Sequence, residues 1–456
     1  MPKLWGGRFK KKIDARFEKF SASFQWDYRL VPYDLKIDAV HVKALHGCGV
    51  LTAGETNKLL KAVTQIEKRY KNGSLRLDPC AEDIHSAVQS ELTGLAGALA
   101  DKLHTARSRN DLVSQSSRLY CKAHAEKLVL LIQDLQKTII EKAELYQTVL
   151  VPGMTHLQNA QILSQAHIFL AYIEMMERSK LKLLADKAFM DVCVLGSGAL
   201  AGVTFRLDQK KMAKTLGLSR VAGNSYDAAG DRDFILSFLS TLAILGTQIS
   251  RIAEDFMIGQ TKGFSLVDID ESYCTGSSMM PQKKNADFLE LARGASGVLT
   301  GNLVGLLTTL KGLPTSYNRD LQWDKKYVFD SVELCEELLQ ILTGVFRTLK
   351  INKNKAKALL SDEALYATDL ADTLVEAGVP FKEAHRQVGL LVSFAEEKGL
   401  RISKIGLDLI KKFAPKADGR IYDLLDACHS TAMKKTLGST NPLEVNKQIR
   451  RWKMSL

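Results

Sequence analysis

Proline is scarce in this 456-residue chain: nine residues, with none between Pro79 and Pro152 or between Pro152 and Pro281. Proline interrupts helix interiors, so both gaps leave room for long helices. Strand signals are thin as well, because few segments alternate with period two and the Val, Ile, Thr and aromatic clusters lie inside helical stripes. The seven cysteines (Cys48, Cys80, Cys121, Cys193, Cys274, Cys335, Cys428) are odd in number, scattered and without a C-x-x-C pair. That excludes a disulfide framework and a zinc site, and fits a reducing cytoplasm. The opening MPKLWGGRFKKK lacks the apolar core of a signal peptide, and no run approaches the roughly 18 uninterrupted apolar residues of a membrane span, so a protein neither secreted nor membrane-embedded is expected. Internal repeats and low-complexity tracts are also missing.

What the chain does contain is apolar surface at helical spacing. With 46% apolar residues, it can fill a large core built from a few subdomains. Stripes at three-four spacing run through Leu128, Leu131, Leu135, Ile139, Leu145 and Val149; Ile162, Ala166, Phe169, Ile173 and Met176; Phe234, Phe238, Leu242, Leu245, Ile249 and Ile252; Leu291, Ala295, Val298, Leu303 and Leu310; and Val328, Val332, Leu338, Leu342, Val345 and Leu349. They predict an almost all-α protein with five long helices in a central bundle, residues 108–356, between an N-terminal helical part, 1–107, and a C-terminal one, 357–456. Helices apolar around much of their circumference need more than one neighbour, so a symmetric homo-oligomer is expected. The net charge of +12 invites a nucleic-acid reading, but the lysines are spread over helical stretches and no nucleic-acid-binding signature accompanies them; solvated helix faces explain them better.

Between the third and fourth stripes lies GSSMMPQKKN, residues 276–285, in a loop spanning about 274–286. Gly276 permits close approach to a ligand, while Ser277 and Ser278 set hydroxyls and backbone N–H groups beside Lys283 and Lys284. Such a loop can bind carboxylates; by itself it reads more readily as an ordinary solvated turn leading to a helix. Other polar clusters interrupt the stripes. LHTARSRND (103–111) groups His104, Thr105, Arg107, Ser108, Arg109, Asn110 and Asp111, and arginine recognises carboxylates bidentately. VPGMTHLQNAQ (151–161) follows the first stripe with a Pro-Gly turn and places Thr155 and His156 just before the next helix, where a lone histidine can equally be structural. SYNRDLQWDKK (316–326) supplies Tyr317, Asn318, Arg319, Gln322 and Lys325.

Taken together these segments resemble the argininosuccinate lyase family of the fumarase/aspartase superfamily. GSSMMPQKKN matches the superfamily's GSSxMPxKxN loop at every specified position. The family itself is suggested by LWGGRF at the start, EDIH (82–85), HTARSRND, PGMTHLQ, LGSGALAGVTF (195–205), NSYDAAGDRDF (224–234), YNRDLQ and ATDLADTLVEAGVPFKEAH (367–385). The resemblance departs at four places: the family usually has glycine at Ala106, arginine at Asn159, proline at Ala286 and an acid at Trp323. An alanine at position 106 would be strained if its φ is positive. The sequence offers no account of Trp323.

The resemblance implies a three-domain fold in which the bundles of four subunits form a twenty-helix core, with each site drawing residues from three chains. It implies reversible, cofactor-free and metal-free cleavage of argininosuccinate to arginine and fumarate. Ser277 would be the base, activated by Lys283. Lys283, Asn285 and the loop amides would stabilise the dianionic intermediate, and His156, oriented by Glu290, would assist departure of the guanidine. Thr155, Ser108, Arg109 and Asn110 would grip carboxylates. Ser23, Asp27, Asn110, Tyr317, Gln322 and Lys325 would contact the arginine portion, with His85 as a lesser site residue. The competing readings are another fumarate-releasing lyase of the superfamily, which would share the loop but not HTARSRND or YNRDLQ; a crystallin-like structural protein; and a nucleic-acid-binding module.

Overall fold

The computed structural model describes residues 11–456, so the LWGGRF segment lies outside the described residues. Five long helices appear where the stripes predict them: Arg109–Leu145, Gln165–Met190, Asp233–Gln260, Asp287–Leu310 and Asp324–Thr348. Among the described residues, β-structure is confined to three two-stranded sheets. The fold is therefore of the almost all-α class.

Two boundaries differ from expectation, each for a physical reason. The first long helix begins at Arg109, well before the stripe at Leu128, because its first turns bury polar side chains. Ser114, Gln115, Ser116 and Arg118 are all buried. Ser114 Oγ donates to the Ala228 carbonyl at 3.2 Å, Gln115 Oε1 accepts from the Val194 N–H at 2.8 Å, and Arg118 Nη1 donates to the Phe189 carbonyl at 2.9 Å. Satisfied polar groups can occupy an inward face, and a hydrophobic stripe does not register them. The second difference is at VPGMTHLQNAQ. Instead of a Pro-Gly turn into a helix, Leu150–Thr155 and Gln158–Ser164 pair as an antiparallel hairpin. Ile162 thus lies in a strand, and the second long helix starts at Gln165. Gly153 sits at an irregularity in the register, where a Cβ would lie 2.6 Å from Leu163 Cδ1.

The chain forms two compact units, and the division falls inside each long helix. The first comprises the residues to Val129 with Leu181–Ile244 and Gly297–Cys335. It includes a core of Ile37, Val40, Leu112, Leu119, Cys193, Leu195 and Met212. The second comprises Leu130–Lys180, Leu245–Ser296 and Glu336–Leu456, and its C-terminal helices close over Leu370, Leu374, Leu391, Ile402, Ile410 and Leu424. Each such side chain contributes about 1.5–3 kcal/mol when fully buried. The helix Asp233–Gln260 is long and apolar enough by composition to cross a bilayer, but most of it is buried within the protein, as in the core helix of a bundle. Large apolar side chains remain exposed on the long helices, among them Leu130, Leu145, Leu291, Val298 and Val304.

Candidate active site

In the first unit, segments far apart in sequence converge on the start of the helix Ile84–Ala96. Ser23 Oγ donates to Asp27 Oδ2 at 2.6 Å, and Asp27 Oδ1 accepts the Ile84 N–H at 3.0 Å; both residues are buried. Arg109 pairs with Asp83 and reaches Ser86 Oγ through Nη2 at 3.2 Å. Burial lowers its pKa from the usual guanidinium value. Arg319 donates to the Ser21 carbonyl at 2.9 Å and to Glu82 Oε1 at 3.1 Å, and Gln322 Nε2 donates to the same carbonyl at 3.0 Å. His85 is held through Nδ1 by Asp34, which also accepts from Ser116 Oγ. Lys325 is buried and donates to Asp324 Oδ1 at 3.3 Å. Tyr317 lies half-buried in the loop before Gln322.

The first turn of the helix Arg109–Leu145 is organised by Asp111. Its fully buried carboxylate accepts N–H groups from Ser108 at 3.0 Å, Gly196 at 3.2 Å and Gly198 at 2.9 Å. Burial still pushes its pKa up to about 6, outweighing the three N–H donors and the coulombic pull of Arg107. Asn110 Nδ2 donates to the Ala199 carbonyl at 3.1 Å, so three hydrogen bonds tie this turn to the 196–199 loop. Arg107 has a different fate from Arg109: it pairs with Asp38, both side chains being nearly inaccessible. Behind that pair His41 Nε2 contacts the Thr105 carbonyl at 2.9 Å, and burial, reinforced by Arg107, lowers its pKa to about 3.

The second unit carries the loop and the hairpin. GSSMMPQKKN is a loop whose ends are closed by reciprocal backbone hydrogen bonds between Thr275 and Asn285, both 2.9 Å. Lys284 fastens it further, donating to Asp268 Oδ1 at 2.8 Å and to the Ile269 carbonyl at 2.6 Å. Within the loop, Ser277 Oγ accepts the N–H groups of Met280 at 3.0 Å and Met279 at 3.3 Å. Two N–H dipoles aimed at one hydroxyl oxygen favour negative charge on it. Lys283 and Glu290, the latter in the first turn of Asp287–Leu310, are exposed.

Thr155 and His156 occupy the exposed tip of the hairpin. His156 and Leu157, at φ 53° and 57°, fill the two central positions of its turn. Such turns require positive φ at both positions and favour Asn-Gly; a side-chain-bearing residue there costs roughly 1–2 kcal/mol. Strain of this kind concentrates at functional sites. Among the described residues, no hydrogen bond within one chain joins His156 to Glu290 or Ser277 to Lys283.

Sequence reasoning grouped Asp111 and Arg319 with the polar clusters without giving either a role, and passed over Asp83 and Ser86, although EDIH contains the first of these. The signal available was position: each is a charged or hydroxyl side chain in or beside a motif already singled out. The departures now have structural settings. Ala106 has φ 55°, so its methyl is carried in a strained backbone. Trp323 stacks on Trp26, with centroids 5.4 Å apart, and meets Phe20 edge-on at 6.4 Å, which gives an aromatic side chain a role where an acid is usual. Ala286 is buried immediately before Asp287–Leu310, and Asn159 pairs with Met154 across the hairpin.

Comparison with known proteins identifies the family and the fold. Residues 7–301 match a lyase family model and residues 364–432 match the argininosuccinate lyase C-terminal model. The chain is 41% identical to argininosuccinate lyase of Carboxydothermus hydrogenoformans, with all of both chains covered. It is likewise 41% identical to argininosuccinate lyase of Bacillus licheniformis, covering 100% of this chain and 99% of that one. Among solved structures, EDDS lyase in complex with formate superposes with a TM-score of 0.84 at 26% identity, covering 96% of this chain and 88% of the other. Class II fumarase from Schistosoma mansoni shares the fold at a TM-score of 0.74 and 15% identity, covering 87% and 90%. The chain belongs to the argininosuccinate lyase family.

Proposed function

We propose that this protein catalyses the reversible β-elimination of argininosuccinate to arginine and fumarate, a step of arginine biosynthesis, with Ser277 as the base. The observation that carries the base assignment is the pair of backbone N–H groups on Ser277 Oγ. The proton to be removed sits beside a carboxylate, and its loss places a second negative charge on that carboxylate. An ordinary serine hydroxyl is far too weak a base for this, so Oγ must be held as an alkoxide-like species. N–H donors to an ionised oxygen contribute about 1.5–3 kcal/mol each, and the Lys283 ammonium on the same loop adds positive potential. Lys283, Asn285 and loop amides then stabilise the dianion, interactions that strengthen only as the charge develops. His156 protonates the departing guanidine, with Glu290 orienting its ring, and Thr155 holds a carboxylate beside it.

Substrate is gripped by Ser108, Arg109 and Asn110 at the succinate end and by Ser23, Asp27, Asn110, Tyr317, Gln322 and Lys325 at the arginine end, with His85 nearby. The protein works in the cytoplasm as a homotetramer whose four bundles form a twenty-helix core, and each site takes residues from three subunits. Support for assembly comes from the exposed Leu291, Val298 and Val304 on one long helix. Gly294, Gly297 and Gly301 of that helix, where an added Cβ would meet nothing within 4 Å, would permit close approach of a neighbour. The three-part division at about residues 107 and 356 belongs to the same reading. The test is fumarate release by the purified protein, assayed in parallel with argininosuccinate, adenylosuccinate, malate and aspartate. Release from argininosuccinate alone is expected; release from another of the four, or from none, overturns the assignment.

A further inference from the structure

The segment Asn224–Phe234 supplies no group to the chemistry above, yet it packs on Ser316 and Asp324, the sequence neighbours of Tyr317 and Lys325, two residues assigned to the arginine end of the substrate. Gly230 lies against the Ser316 backbone so closely that a Cβ would come within 2.5 Å of the Ser316 carbonyl carbon and oxygen. Only glycine therefore admits the loop that presents Tyr317. Two residues on, Arg232 is 1% exposed. Its Nε donates to Asp324 Oδ2, its Nη1 donates to the Asp231 carbonyl at 2.8 Å, and its Nη2 has no acceptor. Asp324 is itself fully buried, and its other oxygen takes the Lys325 ammonium at 3.3 Å. Two buried cations thus share one buried carboxylate. The neighbouring Arg118–Asp231 pair is neutral and does not supply the missing negative charge.

We propose that Arg232 is a positioning residue for substrate binding: by occupying Asp324, it keeps the Lys325 ammonium from being neutralised and leaves it available to a carboxylate of the substrate. This rests on the reading that Lys325 contacts substrate. The physical cause is charge sharing at low dielectric. A lysine alone with a buried carboxylate forms a closed, neutral pair, whereas a carboxylate divided between two cations leaves net positive charge for a third partner.

The experiment compares KM and kcat for argininosuccinate in wild type, Arg232→Met, the double variant Arg232→Met/Asp324→Asn, and Lys325→Met. Arg232→Met should raise KM by about tenfold or more with kcat within about threefold, the pattern of lost ground-state binding. The double variant, which removes the carboxylate that would otherwise neutralise Lys325, should bring KM back towards wild type. A structural role alone predicts the opposite, a double variant no better than the single one, and that result overturns the proposal, as does an unchanged KM in Arg232→Met. Should Arg232→Met fail to fold, Arg232→Lys decides: with a cation still on Asp324 its KM should stay within about threefold of wild type, and a KM as high as that of Lys325→Met overturns the proposal. If Lys325→Met leaves KM unchanged, it is the substrate-contact reading that fails, whatever Arg232 does.

Discussion

The two groups of candidate residues, one in each unit, are built in opposite ways. In the first unit, the residues assigned to grip the substrate are already tied into the chain: Asp27 and Lys325 are buried, Arg109 is fixed by Asp83 and Ser86, and Gln322 is bonded to the Ser21 carbonyl. In the second unit, the residues assigned to the chemistry stand in the open: His156, Lys283 and Glu290 are exposed, and the Ser277 loop is fastened at its base by the Thr275–Asn285 pair and by Lys284. The group proposed to bind substrate is preorganised within one chain, which would limit the entropy lost on binding. The chemical half needs covering before its charges act at full strength, because exposed groups are screened by water. In the proposed tetramer, neighbouring subunits supply that cover.

The largest effect that would sharpen this contrast is expected in the loop. Lys283→Met should lower kcat by about 10²–10³ while KM stays within a few-fold, because the lost charge acts on the intermediate. Comparable losses in kcat and gains in KM would break the division of labour. A smaller, complementary effect is expected in the binding half: Asp83→Asn frees Arg109 from its anchor and should raise KM by about tenfold, since roughly 1.4 kcal/mol of binding corresponds to that factor, with kcat little changed. Steady-state kinetics on both variants distinguishes the two patterns.

The third expectation concerns pH and the scaffold behind the binding half. His41 is neutral in the folded state with a pKa of about 3, against an unfolded value near 6.5. Its folded pKa is depressed, so between those values the unfolded chain binds more protons, and the stability it confers is present above pH 6.5 and declines as pH falls towards 3. Between pH 6.5 and 5 the loss should be on the order of 2 kcal/mol. Urea denaturation at the two pH values, with His41→Gln as the comparison, checks it: the variant should lose most of this dependence, and an equal dependence in both would contradict the assignment.

How much of this was legible in the sequence follows the same divide. Apolar stripes located the long helices because a buried face made of Phe238, Leu242, Leu245 and Ile249 has a period that can be read directly. They did not find the start of Arg109–Leu145, where the buried Ser114, Gln115, Ser116 and Arg118 interrupt the apolar pattern, or the hairpin at Leu150–Ser164, where His-Leu stands in a turn that normally announces itself with Asn-Gly. The loop at 276–285 was legible from glycine, proline and paired lysines between stripes. The anchoring roles of Asp83, Ser86, Asp111 and Arg319 were not, because these partners lie far away in sequence and only the fold brings them together. Trp323 became intelligible for the same reason, through Trp26 and Phe20.

The most direct test of the central claim is single: fumarate release from argininosuccinate by Ser277→Ala beside wild type, with substrate binding to each measured by calorimetry. If Ser277 Oγ removes the proton, kcat should fall by about 10³ or more while the variant binds substrate with nearly the wild-type Kd. Fumarate release at a comparable rate in the two proteins would contradict it.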